Sequence, residues 1–275
     1  MESMFHIRLI CASILFGASL SVADSPDLAQ HSALWEEIRT LQFVPARNAF
    51  ETHTADDPSD REARLGEAIA LLNVQPRTAA NIQRVQRILE GLVVEDGSDF
   101  WGLGARFMLA RMEQVHFEPP TPTAGVDQFL QLVADAPGTL WGELALLKAA
   151  PAMLYASISM EERQQRMDEI EEMAQNLTMD LIRRSLFITL ADVALDFEMP
   201  ADRALHYLLT ADVEGMVRWQ RRANAYLQIA GLARELGDLP LAREYYGRFY
   251  EEFKRDHRTY MVGRILEELA AEVSE

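Results

Sequence analysis

Leu92-Val93, Glu95 and Trp101-Gly102 are answered forty residues later by Leu132-Val133, Asp135 and Trp141-Gly142. The correspondence runs on to Ala105 and Ala110 against Ala145 and Ala150. An apolar pair, an acid, a gap and a Trp-Gly in register make an internal repeat. Periods of 20 to 50 residues mark arrays of stacked supersecondary units, so the repeat decides the fold class before any single helix is assigned.

Working outward from it, apolar spacing is helical from about residue 29 onward. Ala63, Ile69, Leu71 and Leu72 form one stripe, and Ile82, Val85, Leu89 and Leu92 form another at steps of three and four. No sustained alternation suggests a strand. Breaks fall at Asp57-Pro58, Gln75-Pro76, Gly97-Ser98, Pro119 to Pro122, Ala136-Pro137-Gly138, Met199-Pro200 and Gly237-Asp238. Cut there, the chain falls into six helix pairs and a lone final helix near 257–272. First helices start near 30, 59, 99, 139, 179, 217 and 257, and second helices near 44, 77, 123, 160, 200 and 239. The segment Glu118 to Ala124, with three prolines, reads as a loop inside the third pair.

The sixth pair carries the most regular unit: Tyr226, Ile229, Ala230, Ala233, Gly237-Asp238, Ala242, Tyr246 and Phe249. Small residues at 230 and 242 let two antiparallel helices approach, Gly237 suits a turn of positive φ, and Tyr246 fills a neighbour's groove. This spacing resembles the tetratricopeptide repeat. The fifth pair is a looser copy, with Leu190-Ala191, Val193-Ala194, Glu198-Met199-Pro200 and Ala204 in matching positions. Asp135-Ala136-Pro137-Gly138 before Trp141 is similar to a junction found in periplasmic members of that superfamily. The family has Ala where Phe249 stands and often Pro where Lys254 stands, and the motifs are degenerate, so no particular member is indicated. A 40-residue period also suits HEAT repeats, although the Gly-Asp turn and the Ala spacing favour the tetratricopeptide form. The resemblance implies an all-α, right-handed superhelix of about six antiparallel pairs.

The N-terminus has the form of an export signal. Arg8 precedes an apolar run from Leu9 to Leu20, and Ser21-Val22-Ala23 offers small residues for cleavage after Ala23. The run is short for a spanning helix. Cys11 follows Arg8-Leu9-Ile10, which is not a lipidation motif. A mature chain of 24–275 forms one repeat domain without cysteine, which excludes a disulfide framework, a thiol nucleophile and a Cys-ligated metal. A bacterial periplasm is the expected location, and there Asn176-Leu177-Thr178 is no glycosylation site despite its pattern.

The 275 residues are 49% apolar and carry a formal net charge of -17, with Lys148 and Lys254 the only lysines. Such an acidic surface disfavours nucleic acid and anionic lipid, because both require neutralised phosphates. After signal cleavage no stable membrane insertion is expected.

Candidate chemistry is sparse. His31, His53, His116, His206 and His257 form no metal-spaced motif; His53 with Asp56, Asp57 and Asp60 is the one compact His-carboxylate grouping, and Asp60 or Ser59 there suits a helix cap. Paired acids such as Glu161-Glu162, Asp168-Glu169 and Glu171-Glu172 alternate with Arg163 and Arg166, as on a solvated helix face where Glu162 meets Arg166. Trp35, Trp101, Trp141 and Trp219 sit near first-helix starts and read as inter-repeat packing before they read as partner-binding aromatics. Met108, Met112 and Met153 read as core. Arg183 and Arg222 occupy equivalent positions of consecutive first helices, beside Arg184 and Arg221, and a ladder of this kind can grip a partner's carboxylate or pair with nearby acids. The resemblance would place Asn224 and Arg234 in the same groove, though the family's Lys-Asn carboxylate clamp is not recognisable.

Together these features predict a non-catalytic scaffold that binds a protein or peptide in the groove of the repeats, with no cofactor and no metal. The competing expectations are an all-helical hydrolase or lyase, needing a cavity around His53, His116 or His206, and an oligomerisation module, needing an exposed apolar patch near the final helix.

Overall fold

A computed structural model of the chain describes residues 30–117, 121, 123–156, 159–213, 215 and 219–272. The expected signal segment, Cys11 and the prolines at 119, 120 and 122 lie outside the described residues. Within them there are thirteen α-helices and no strand. They are α1 (Ser32–Arg39), α2 (Phe43–Asp56), α3 (Arg61–Asn73), α4 (Ala79–Glu95), α5 (Phe100–Val115), α6 (Val126–Asp135) and α7 (Leu140–Tyr155), followed by α8 (Met160–Gln175), α9 (Asp180–Asp196), α10 (Ala201–Val213), α11 (Trp219–Glu235), α12 (Leu239–Glu252) and α13 (Thr259–Glu272). Every start lies within three residues of the position expected from the breaks. From α3 to α13, the odd-numbered helices begin 39 or 40 residues apart.

The helices start where capping chemistry is available. Asp60, Thr78, Asp99, Ser159 and Asp238 each accept a hydrogen bond from the backbone N–H three residues on, satisfying one of the donors a first turn leaves open. Pro240 enters the first turn of α12, where its missing N–H costs nothing.

The chain divides into two compact units, with the boundary between Met153 and Leu154 near the end of α7. In the first unit each helix packs on the next in sequence from α1 to α6, and α1 also meets α3, as α3 meets α5. Ile38, Phe50, Leu65, Ile69, Leu72, Leu89, Leu92, Met112, Phe129 and Leu132 are among the large, fully buried residues of this core. In the second unit, α8 to α13 also pack in sequential order, most extensively in the α9/α10 and α11/α12 pairs. Ala230 and Ala242 are fully buried at the α11/α12 approach, with Tyr226, Tyr246 and Phe249 around them. Met108, Met112 and Met153 are core residues.

The α9–α10 and α11–α12 turns match down to individual hydrogen bonds. Gly237 has φ 80° and Glu198, its counterpart, has φ 51°. Asp238 N–H donates to the Ala233 carbonyl as Met199 N–H donates to Ala194, and Gly237 N–H donates to Arg234 as Glu198 N–H donates to Leu195. Both are left-handed helix ends of the Schellman type, and only one has the residue that enters this region without strain. Glu198 is exposed, so little packing is lost by trimming it. Glu198→Gly is therefore expected to stabilise the chain by about 0.5–1 kcal/mol, and Gly237→Glu to destabilise it by a similar amount; urea unfolding of the two variants checks the opposite signs.

Candidate functional site

The two copies of the repeated motif span the α4–α5 and α6–α7 connections, each a joint between successive helices. Leu92 and Leu132 are buried, and the acid that follows each reaches back to the preceding first helix: Glu95 receives Arg64 at 2.6 Å, and Asp135 pairs with Arg106. Arg64 and Arg61 hold the Glu95 carboxyl below its ordinary range, and Arg106 does the same for Asp135. The glycine of each Trp-Gly lies against backbone. A Cβ on Gly102 would sit 1.8 Å from the Asp96 carbonyl oxygen, and one on Gly142 would sit 2.1 Å from that of Ala136. Trp141 is buried against Phe100 and Phe107, both at 5.5 Å between ring centroids, and its indole lies over Gly104 of α5. Trp35 is buried against Phe50 and donates to Glu62 at 2.8 Å. Trp101 is half-buried, edge-on to Phe100. The Trp219 side chain lies outside the described residues.

Arg61 spans one whole joint. Its Nε and Nη2 donate to Asp99 at 2.9 and 2.8 Å, Nη1 donates to Glu95 at 2.9 Å, and Nη2 also meets the Leu92 and Asp96 carbonyls at 3.1 and 2.8 Å. Burial works against its charge, but the two carboxylates outweigh that and hold its pKa above the usual value. The same joint carries a local echo not evident from the apolar pattern. Asp57 accepts from Ser59 N–H and hydroxyl at 2.9 and 2.6 Å, and Asp96 accepts from Ser98 at 2.8 and 2.7 Å. Arg61→Lys is expected to lose about 1–2 kcal/mol, because an ammonium cannot reproduce a planar fork shared among two acids and two carbonyls. Guanidinium unfolding of Arg61→Lys beside wild type measures it, and an unchanged midpoint would count against the joint.

The second unit uses tyrosine and arginine in the same way. On α10, Arg203 pairs with Asp168 and donates to the Tyr207 oxygen at 2.8 Å, while Tyr207 donates to Glu171 at 2.8 Å. One pair later, Arg248 donates to Asp212 at 2.8 Å and to the Tyr226 oxygen at 2.7 Å, and Tyr245 donates to the same Asp212 at 2.8 Å. Arg248 lies 4.3 and 4.6 Å from the Tyr226 and Tyr245 ring centroids. Burial pushes the Tyr207 and Tyr245 hydroxyls upward, and acceptance of their protons by Glu171 and Asp212 adds to the shift. Arg203 to Asp168 spans 35 residues and Arg248 to Asp212 spans 36, so the bonds join alternate helices, α10 to α8 and α12 to α10.

The four candidate partner-binding residues all lie in the second unit, each with internal bonds. Arg183 donates to Asp180 at 2.8 Å and to the Leu177 carbonyl at 2.9 Å. Arg222 pairs with Glu252 on α12 and lies 5.9 Å from the Phe253 ring centroid. Asn224 is exposed and accepts from Arg258 at 2.7 Å. Arg234 meets Glu268 of α13 at 3.7 Å. Their neighbours divide likewise: Arg184 is buried and bonds the Gly215 carbonyl, and Arg221 donates to both Asp192 oxygens at 2.7 Å. Burial raises the Asp192 pKa, with Arg221 opposing.

Of the histidines, only His31 and His53 come together among the described residues. His31 is buried, hydrogen-bonds Asp60 at 2.7 Å and lies 4.5 Å from the His53 ring. Asp60 uses its other oxygen to cap α3 through Ala63 N–H at 2.9 Å. His116 meets Arg77 at 3.1 Å, His206 meets Glu171 at 3.3 Å, and His257 is exposed beside Asp256. Among the described residues, no group of three or more His, Cys, Asp or Glu is placed to hold a metal ion. Of the paired acids, Glu162 meets Arg166 at 2.5 Å. No described helix is long and apolar enough to cross a membrane. No protein-family model matches the chain, and no curated protein is significantly similar to it.

Proposed function

We propose that the chain is a tetratricopeptide-like, right-handed superhelix of about six antiparallel helix pairs that works as a non-catalytic protein-binding scaffold in the bacterial periplasm. The observation that carries this reading is the joint: side chains bond to groups one repeat away, as Arg61 does with Asp99 and Arg248 with Asp212. Repeats joined to their neighbours in this way can form a long curved surface without a reaction centre. Arg183, Arg222, Asn224 and Arg234 are the residues proposed to meet the protein or peptide partner, by exchanging an internal acid or amide for one of the partner's. Export follows from cleavage after Ala23.

Chemical crosslinking in intact cells, followed by affinity recovery and mass spectrometry, tests the scaffold. The expected result is a reproducible partner whose yield falls in an Arg183→Glu, Arg222→Glu variant that keeps its helical content. Recovery of no specific protein would overturn the reading. Export is checked separately, by finding the mature N-terminus at Asp24 in the periplasmic fraction.

A further inference from the structure

The inner side of α13 is fixed by Val262 and Leu269, both fully buried, with the helix packed on α12. Diametrically opposite, at steps of four, three and four, run Tyr260, Arg264, Glu267 and Ala271. All four are exposed, Tyr260 to 79%, and Met261 beside them is 55% exposed. Tyr250 of α12, 40% exposed, continues this apolar surface where its ring lies close to Gly263. Among the described residues, Arg264 and Glu267 have no ion-pair partner. This is a large exposed aromatic and a methionine beside two uncommitted opposite charges.

We infer that this outer face of α13 is a self-docking surface, on which a second copy of the chain lies antiparallel. The sequence of the stripe supplies the argument. With a two-fold axis between Ile265 and Leu266, Arg264 of each copy meets Glu267 of the other, and Tyr260 meets the small Ala271. The order aromatic, base, acid, small residue therefore complements itself when reversed, as an isologous interface requires. Read in parallel, the same stripe sets like charges side by side. A helix of this length spans about 21 Å, so the pair is a small, salt-sensitive interface and not an obligate dimer. It uses only the second unit and is independent of whether the repeats bind another protein.

Sedimentation velocity on the full chain, from micromolar to submillimolar protein, reads the association. Wild type is expected to move from monomer towards dimer, less so in high salt. Arg264→Glu and Glu267→Arg each set like charges across the axis and are expected to weaken self-association at least about tenfold. An equimolar mixture of these two variants restores both pairs and should form a heterodimer, and the double exchange in one chain should restore the homodimer. Helical content by circular dichroism, unchanged in all variants, separates lost docking from lost folding. A wild type that is monomeric throughout overturns the inference, as does a dimer indifferent to the single reversals or a mixture that fails to restore association.

Discussion

Gly102→Ala is expected to lower stability by about 2 kcal/mol, although alanine is normally the better helix former by about 1 kcal/mol. The added Cβ would meet the Asp96 carbonyl oxygen at 1.8 Å, the Asp96 carbonyl carbon at 2.8 Å and the Gly97 Cα at 2.9 Å. These are backbone atoms, so no side-chain rotation relieves the overlap. The turn itself has to move, and it is held by the Asp96–Ser98 bonds and by Arg61 on the Asp96 carbonyl. Gly231→Ala in α11 is the matched control. A Cβ there meets nothing within 4 Å, so that variant should gain up to about 1 kcal/mol. Thermal unfolding of both decides the matter through opposite signs; a neutral Gly102→Ala would mean the joint is loosely built.

Trp141→Ala should cost more, about 3–4 kcal/mol, because a 3% exposed indole leaves a cavity bounded by Phe100, Phe107 and the backbone at Gly104. Trp141→Phe should cost less than about 1.5 kcal/mol, since the buried Nε1 makes no hydrogen bond that the change could break. Trp35 provides the contrast. Its Nε1 donates to buried Glu62, so Trp35→Phe removes a buried hydrogen bond as well as losing volume. Urea midpoints of the three variants should order as Trp141→Phe, then Trp35→Phe, then Trp141→Ala as most destabilised.

Helix boundaries were legible in the sequence because their causes are local. Asp99 caps α5 by accepting from the Gly102 N–H three residues on, Gly237 turns within one residue, and Glu198 could be aligned with it despite being the wrong residue type. The tryptophans could be assigned to packing from their spacing, and Trp35 and Trp141 are buried. The identities of the joint's partners were not legible. Arg61 reaches Asp99 across 38 residues and His31 reaches Asp60 across 29, and nothing near either residue encodes the other end. Gly66 is similar: the Phe50 ring would lie 2.4 Å from its Cβ, a reason for glycine that exists only once α2 meets α3. The arginine ladder was visible as a pattern, but whether Arg222 faces Glu252 or solvent depends on the α11/α12 packing. The outer stripe of α13 was in the sequence throughout; only the burial of Val262 and Leu269 identifies it as the outer one.

The proposed scaffold stands or falls on whether the helix pairs stack into an open superhelix with a groove to offer. Small-angle X-ray scattering of the mature chain, kept monomeric by Arg264→Glu, measures this most directly. A compact globule of about 250 residues has a radius of gyration near 18 Å, and the superhelix predicts a distinctly larger value with an extended pair-distance tail. A radius near that of the globule, with a symmetric pair-distance distribution, would contradict it.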